Sequence, residues 1–212
     1  MKPQHLSAAL SEEIRMRLLL SPNVAQRLAK VLRQRGSTET GGILMGEHVA
    51  HDEFRIVNFS VQRSKGTFAS FLRMPRLHLR QLERFFKQTE HDYMKYNYLG
   101  EWHSHPSFGV TPSFPDLHAM HTLVDDASTG ATFAILMIVR LDQDTTLNAG
   151  TYLFMPGDAG HHPVPLMLEA EDVTPPATDR GMIARFFQAS EHKGAVIRLI
   201  SNPEIRATID AD

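Results

Sequence analysis

Two histidines one residue apart, followed by a serine and an aspartate, are the residues of this chain best suited to chemistry. They are His103 and His105, with Ser113 and Asp116 downstream. Two imidazoles and a carboxylate are ligands that zinc prefers, and catalytic zinc keeps three protein ligands and an open position for water. A serine hydroxyl beside that position can donate a hydrogen bond to a developing oxyanion. This set of residues indicates a hydrolytic metal site.

The spacing of the histidines predicts the element that carries them. Residues 96–103 alternate in polarity, which is typical of a strand that ends at the site. On a strand, residues i and i+2 face the same side, about 6.5–7 Å apart at Cα. His103 and His105 can therefore converge on one ion, whereas Ser104 points away. The proline-containing turn that follows returns Asp116 as the third ligand, and we predict a helix that begins there.

Water activated by zinc still needs a neighbouring group that takes its proton and delivers it again. The candidate for this base is Glu39, which comes just before Gly41 and Gly42. Glycines let a backbone approach other strands closely, although the same pair can simply serve a turn. Because Glu39 is far from the histidines in sequence, it has to reach them from another part of the fold.

Composition limits the class of protein. The chain has 212 residues, a formal charge of -2 and no cysteine. This length suits one compact domain, and the lack of cysteine excludes disulfides, thiolate zinc sites and cysteine-peptidase chemistry. Charges of both signs are interspersed, so no broad basic face for nucleic acid is predicted. No run approaches the roughly 20 apolar residues that span a bilayer, and we expect a cytoplasmic protein without membrane partners.

Other periodic segments alternate between strands and helices. Strands are predicted at 14–18, 41–46, 54–57, 133–141, 151–155 and 164–168, and helices from Pro22 to a stop at Gly36, from Pro75 and from Asp116. Ser21 is the predicted N-cap of the first helix. The Pro-rich segment 172–179 is predicted to be a linker. This order predicts a mixed α/β fold of the α+β type.

The segment from Glu39 to Gly46, taken with His103-Ser104-His105-Pro106, Ser113 and Asp116, resembles the full JAMM (MPN-plus, or JAB) metallopeptidase signature. The resemblance covers residues 10–156. It implies that Glu39 is the base, that Ser113 stabilises the oxyanion, and that the remaining three residues bind one zinc ion per chain.

The same resemblance implies a fold and a division of the chain. The fold is a JAB/MPN-type mixed, curved β-sheet flanked by helices, in a cytidine-deaminase-like layer arrangement. Residues 10–170 would form the catalytic domain, and residues 171–212 a C-terminal linker and small extension.

The implied activity is cleavage of a peptide or isopeptide bond after the C-terminal glycine of a ubiquitin-like protein. The segments Gly100–Pro106 and Phe71-Leu72-Arg73 are most similar to the stand-alone bacterial branch of the family. That branch is associated with ubiquitin-like conjugation operons, including antiphage systems, alongside E1-like and E2-like enzymes. Two alternatives stay open: a peptidase that processes a sulfur-carrier protein, and a non-catalytic MPN-like scaffold.

Three further features each allow two interpretations. His118 and His121 follow Asp116 on the same predicted helix and are either extra ligands or ordinary helix surface. Trp102 either shapes a substrate channel or packs in the core, and its place on an alternating strand favours the core. The apolar residues of segment 68–74 either grip a partner or pack against the helix from Pro75, and we favour packing.

Overall fold

The computed structural model of this protein describes residues 15–62, 75–142 and 146–170, without the side chains of residues 75–77. The elements within these residues are β1 (Arg17–Leu20), α1 (Pro22–Arg35), β2 (Gly41–Ala50), β3 (Glu53–Phe59), α2 (Pro75–Gln88), β4 (Tyr96–Ser104), α3 (Phe114–Asp125), β5 (Ala134–Asp142), β6 (Thr146–Phe154), β7 (His162–Pro163) and β8 (Leu166–Leu168). The predicted linker, the C-terminal extension and the apolar segment 68–74 lie outside the described residues.

The strands form one mixed sheet in the order β7-β6-β5-β4-β2-β3-β1-β8. Strand β4 runs parallel to β5, and β1 runs parallel to both β3 and β8, whereas the other neighbours are antiparallel. Strand β7 pairs with β6 and β8 pairs with β1, so the short segment 162–168 contributes a strand to each edge of the sheet. The sheet is therefore curled, and with its flanking helices it confirms the predicted mixed α/β fold.

The helices cover the two faces of the sheet through separate apolar clusters. Helix α1 buries Leu28 in the cluster that holds Leu44 and Trp102, and Trp102 is fully buried. Helices α2 and α3 pack on clusters that hold Ile43 and Ile138, respectively. Because neighbouring strand residues point to opposite faces, Ile43 and Leu44 belong to different clusters. The core position predicted for Trp102 is confirmed.

Helix α1 ends and begins where its capping residues predict. The Ser21 hydroxyl accepts a hydrogen bond from the Val24 N–H at 3.3 Å, and Pro22 occupies the first turn. Gly36 follows the last helical residue with φ of 56°, a left-handed value that glycine adopts without steric cost.

Several strand bounds differ from the predictions, most of all at the starts of β1 and β6 and at the end of β2, because ladder partners and not side-chain patterns decide where a strand starts and ends. Strand β1 begins at Arg17 instead of residue 14. Arg17 pairs with Glu53, which is the first residue of the partner strand β3. Strand β6 begins at Thr146 instead of residue 151, because its register with β5 runs from Asp142 opposite Thr146 to Ala134 opposite Phe154.

The strand predicted at 164–168 is also different. The chain here crosses from one edge of the sheet to the other, so it pairs first as β7 and then as β8. Between the two strands, the Val164 N–H donates to the Thr151 carbonyl at 2.9 Å and the Pro165 carbonyl accepts from Leu18 N–H at 2.9 Å. Because the pairing partner changes, residues 164–168 do not form the single strand that was predicted.

Ser60, which follows β3 and is fully buried, connects β2, α2 and β4. Its hydroxyl accepts from the Ile43 N–H at 2.8 Å and lies 2.6 Å from Nδ1 of His78 on α2. Its carbonyl accepts from Nε1 of Trp102 on β4 at 2.8 Å. A Cβ on Gly42 would lie 2.0 Å from that carbonyl oxygen, so β2 requires glycine here.

The buried imidazole of His78 should make the stability of the protein depend on pH. Burial lowers the pKa of His78 from 6.5 to about 4. Between these values the unfolded chain binds a proton that the folded chain does not, so stability falls as the pH drops from 6.5 toward 4. Urea unfolding at several pH values should show a shallower decline for His78→Gln than for the wild type. Parallel curves would contradict the prediction, and His51→Gln, at an exposed histidine, is the control.

Candidate metal centre

The strand β4 carries the first histidine of the site, and its neighbours fix the direction of that residue. His103 pairs with Gly41 of β2 on one side and with Ile138 of β5 on the other. His105 follows the end of the strand, where its N–H donates to the Val139 carbonyl at 2.9 Å. The backbone is therefore held on both sides up to the second histidine.

The structure brings the three predicted ligands together. Nε2 of His103 lies 2.9 Å from Nε2 of His105, and these atoms lie 3.5 and 3.7 Å from Oδ2 of Asp116. The three residues are 4%, 8% and 3% exposed. Among the described residues they form a His-His-Asp group with ligand atoms close enough to share one metal ion.

This donor set fits a zinc ion. Zinc–ligand distances near 2.0–2.1 Å in tetrahedral geometry separate two ligand atoms by about 3.4 Å. The two distances from Asp116 Oδ2 match this value, and the imidazole nitrogens would have to move apart by about half an ångström. Two imidazole nitrogens and one carboxylate oxygen leave a fourth position for water or substrate.

A backbone carbonyl orients the His105 ring. Its Nδ1 lies 2.8 Å from the Gly109 carbonyl oxygen, which can only accept, so Nδ1 carries the proton. Nε2 is then free of that proton and faces His103 and Asp116. This is the outer hydrogen bond that usually accompanies a metal-binding histidine.

The Asp116 carboxylate is ionised despite its burial. Burial acts to raise its pKa, but hydrogen bonding and charge attraction from His103, together with hydrogen bonds from Ser113, lower the pKa to about 2. A negative ligand is therefore present throughout the neutral range.

Ser113 is the N-cap of α3, a role that the sequence analysis missed. Its hydroxyl accepts from the Asp116 N–H at 3.4 Å and donates to Asp116 Oδ2 at 2.7 Å, and its own N–H donates to the same oxygen at 2.7 Å. This capping box makes the helix begin at Phe114 instead of Asp116, which corrects the prediction. The serine followed three residues later by an acid was the signal for it.

Glu39 lies half-buried next to the histidine strand. The Ser104 N–H donates to the Thr40 carbonyl at 2.8 Å, and the Ser104 hydroxyl accepts from the Thr40 N–H at 3.0 Å. Glu39 directly precedes Thr40, so its backbone is one residue from this pair of hydrogen bonds. Glu39 is outside the His-His-Asp group.

Gly41 allows this close approach of β2 to the histidines. A Cβ at this position would lie 2.5 Å from the Trp102 carbonyl oxygen and 3.1 Å from Cβ of His103. The double glycine therefore serves backbone packing at the site, one of the two interpretations left open by the sequence.

Comparisons with known proteins agree with this geometry. The family model for prokaryotic homologues of the JAB domain matches residues 21–150. The chain belongs to this JAB family. The family includes peptidases.

Two solved structures are similar to this chain at low sequence identity. The solution structure of protein DSY2949 from Desulfitobacterium hafniense is 18% identical, with a TM-score of 0.54, and the match covers 73% of this chain and 94% of that one. The crystal structure of AF2198, a JAB1/MPN domain protein from Archaeoglobus fulgidus, is 13% identical, with a TM-score of 0.40 and coverage of 72% and 98%. No curated protein sequence matched the chain.

No helix in the described part of this JAB domain protein is long and apolar enough to cross a bilayer.

Glu101 is a buried acid that the sequence analysis missed. It lies on β4 two residues before His103 and therefore faces the same side of the sheet. It is 4% exposed, and burial raises its pKa to about 8, so the carboxyl group is neutral at pH 7. The alternation of Glu101, His103 and His105 along one strand was the available signal.

The other histidines of α3 lie apart from the ligands. His118 is exposed, and the His121 ring contacts the edge of Phe154 with a centroid distance of 5.2 Å. Neither belongs to the His-His-Asp group of the described residues. The helix-surface interpretation is thus the one that the structure favours for His118.

Metal analysis of the purified JAB domain should find about one zinc ion per chain. Asp116→Asn removes the charged ligand but keeps an oxygen for the capping box, so the helix should persist while zinc affinity falls. The loss should exceed the 10–100-fold typical of changes outside the ligand shell. Competition with a chromophoric chelator measures this affinity.

The matched control is His118→Ala on the same helix, which should keep the wild-type zinc content. Loss of zinc from this variant would make His118 a ligand, and full zinc content in Asp116→Asn would remove Asp116 from the site.

Proposed function

We propose that this JAB domain protein is a zinc-dependent peptidase or isopeptidase that cleaves after the C-terminal glycine of a ubiquitin-like protein. The observation that carries the proposal is the convergence of His103 Nε2, His105 Nε2 and Asp116 Oδ2 in a buried group. Glu39 and Ser113 stand on backbone segments directly beside these ligands. A scaffold does not require this complete set of residues.

Each residue of the site has a distinct role in the proposed reaction. When bound, zinc lowers the pKa of a water molecule to about 7 and polarises the scissile carbonyl group. A carboxylate oxygen of Glu39 takes the proton from the attacking water and delivers it to the leaving nitrogen. The carboxylate of Asp116 and Nε2 of each histidine would hold the zinc ion.

Ser113 would serve both the helix and the reaction. Its N–H and its hydroxyl each donate to Asp116 Oδ2 at 2.7 Å. If the hydroxyl turns toward an oxyanion, the N–H still holds the aspartate, so the capping box survives in part. One such oxyanion donor is worth about 2.7–4 kcal/mol of activation free energy.

Two exposed phenylalanines beside the site suit contact with a protein substrate. Phe108 is 68% exposed with its ring centroid 6.4 Å from that of His105, and Phe114, next to Ser113, is 83% exposed. The other large apolar side chains that are exposed in the described residues lie on edge strand β8. Aromatic residues that remain in water beside a site commonly contact a partner, so we assign these two to the ubiquitin-like body.

The setting of the reaction belongs to the same proposal. E1-like and E2-like enzymes would attach the modifier, and this protein would process or release it. A sulfur-carrier protein is an alternative substrate of the same kind, because it also ends in glycine. A panel of fusions to both types of modifier, cleaved at the terminal glycine, separates the two.

Glu39→Gln should abolish most of the peptidase activity without loss of zinc. Because Gln cannot accept the proton, kcat should fall by about 10²–10⁴-fold. The measurement is cleavage of a modifier fused through its terminal glycine, with zinc content determined in parallel. Glu83→Gln, at a partly exposed acid on α2, is the matched control and should retain full activity.

Two results would contradict the proposal. Equal cleavage by the wild type and Glu39→Gln would show that Glu39 is not the base. A wild type that binds zinc but cleaves no modifier of either type would indicate the scaffold.

Phe108→Ala should weaken substrate binding more than it slows the chemical step. Loss of an exposed aromatic contact costs more than 1 kcal/mol at a binding hot spot, so KM should rise about tenfold while kcat changes little. Leu168→Ala is the control, because Leu168 is equally exposed, at 66%, on edge strand β8. If both variants match the wild type in KM, Phe108 does not contact the substrate.

A further inference from the structure

The loop between the second histidine and the capping serine, residues 106–112, is held by its backbone carbonyl groups. Three successive carbonyls each lie within hydrogen-bond distance of a side-chain donor. The Phe108 oxygen accepts from Nη1 of Arg140 at 3.2 Å, the Gly109 oxygen from Nδ1 of His105 at 2.8 Å, and the Val110 oxygen from the Tyr152 hydroxyl at 3.0 Å. The outer two donors come from β5 and β6, so the loop is fixed to the sheet on either side of the bond that orients His105.

Gly150 of β6 makes room for the third of these bonds. A Cβ built on Gly150 would lie 2.2 Å from the Val110 carbonyl oxygen and 3.1 Å from Cε2 and the hydroxyl oxygen of Tyr152. Real Cβ atoms are not found within 3.0 Å of such neighbours. Because the nearest atom belongs to backbone, the loop itself would have to move. Gly150 is therefore a notch that receives both the Val110 carbonyl and the Tyr152 ring.

The chemistry of Tyr152 suits a permanent donor. Burial raises its pKa above the usual value for tyrosine, so the phenol keeps its proton throughout the neutral range. The ring is partly buried and packs against the apolar cluster that includes Met120 of α3. Its hydroxyl is thus held in place under the loop.

The position of the loop affects both sides of the metal centre. The Gly109 carbonyl, which sets the proton of His105 on Nδ1, is the direct neighbour of the Val110 carbonyl. Val110 and Leu117 pack against the same cluster, and Leu117 follows the ligand Asp116 on α3. A shift of Val110 would therefore turn the His105 ring and disturb the packing beside Asp116.

We propose that Gly150 and Tyr152 are positioning residues for the metal centre, which hold the Val110 carbonyl so that the Gly109 carbonyl orients Nε2 of His105 toward the ion. This inference rests on the metal binding proposed above, but on neither hydrolysis nor a particular substrate. Gly150 and Tyr152 are 45 and 47 residues away from His105 in the chain, and the Val110 carbonyl connects them to the loop that orients it.

The test measures zinc affinity of the full chain by competition with a chromophoric chelator. Gly150→Ala should bind zinc about 10–100-fold more weakly, as is typical when the outer partners of a metal ligand are disturbed. Tyr152→Phe, which removes only the hydroxyl, should weaken binding about fivefold, the equivalent of one hydrogen bond. Because both changes act through the Val110 carbonyl, the double variant should lose less than the product of the single losses.

Two matched variants control for general damage to the sheet. Gly46→Ala, near the middle of β2, places a Cβ 2.9 Å from the flexible side chain of Leu99. Tyr93→Phe removes a hydroxyl that lies 2.7 Å from Nδ1 of His91, far from the loop. Both should bind zinc as the wild type does.

A second measurement separates positioning from stability. The visible spectrum of bound Co²⁺ reports the geometry around the metal, and it should change in shape for Gly150→Ala and Tyr152→Phe but not for the controls. Thermal unfolding of the metal-free proteins records stability alone. If Gly150→Ala does not fold, Tyr152→Phe carries the test.

The outcomes distinguish this inference from the proposed function. A wild type that binds no zinc overturns the metal centre itself. A wild type that binds zinc, with Gly150→Ala and Tyr152→Phe at the affinity and spectrum of the controls, overturns only the positioning role. Equal loss of affinity in all four variants overturns it as well, because a general loss of stability would then explain the result.

Discussion

The pairing of β4 with β2 is the constraint on which the rest of this structure depends. It places Trp102 in the core, with its indole N–H on the Ser60 carbonyl, and thereby turns His103 to the opposite face. A slip of one residue would turn His103 into the apolar cluster that α1 covers and move Trp102 to the side of the ligands, which makes any other register unfavourable. Gly41 and Gly42 allow the strands to pack this closely, because a side chain at either position would meet backbone atoms. The ligand geometry is thus a consequence of core packing.

The third ligand depends on a helix terminus. Asp116 is the acid of a capping box, so the bonds that begin α3 also hold the carboxylate toward the histidines. Both Ser113 donors and His103 stabilise its negative charge, whereas burial raises the pKa of Glu101, two residues before His103, to about 8. The two buried acids therefore differ in charge because hydrogen bonds and charge attraction offset burial at Asp116, whereas burial alone acts on the pKa of Glu101.

Charge serves a different purpose at the far end of the sheet. Arg55 of β3 contacts Glu47 of β2 at 2.5 Å and Glu169, which follows β8, at 2.9 Å, and Lys95 adds a 3.1 Å contact to Glu47. These half-buried ion pairs link the segment that closes the curled sheet to its central hairpin. The metal centre lies at the other ends of β2 and β4, so the two groups of charges are separated by the length of the strands. Closure of the sheet and ligand placement are thus supported by different interactions.

The sequence by itself determined which residues can form the site and which elements carry the histidines. Spacing alone is enough for this, because the period of a strand puts His103 and His105 on one face, and caps such as Ser21 and Gly36 act over a few residues. It also determined the family resemblance and the mixed fold. Only the tertiary structure decided the bounds of β1 and β6, the division of segment 162–168, the capping role of Ser113, the neutral state of Glu101 and the notch at Gly150. Each of these depends on a partner distant in sequence or on solvent exclusion, and a local pattern contains neither.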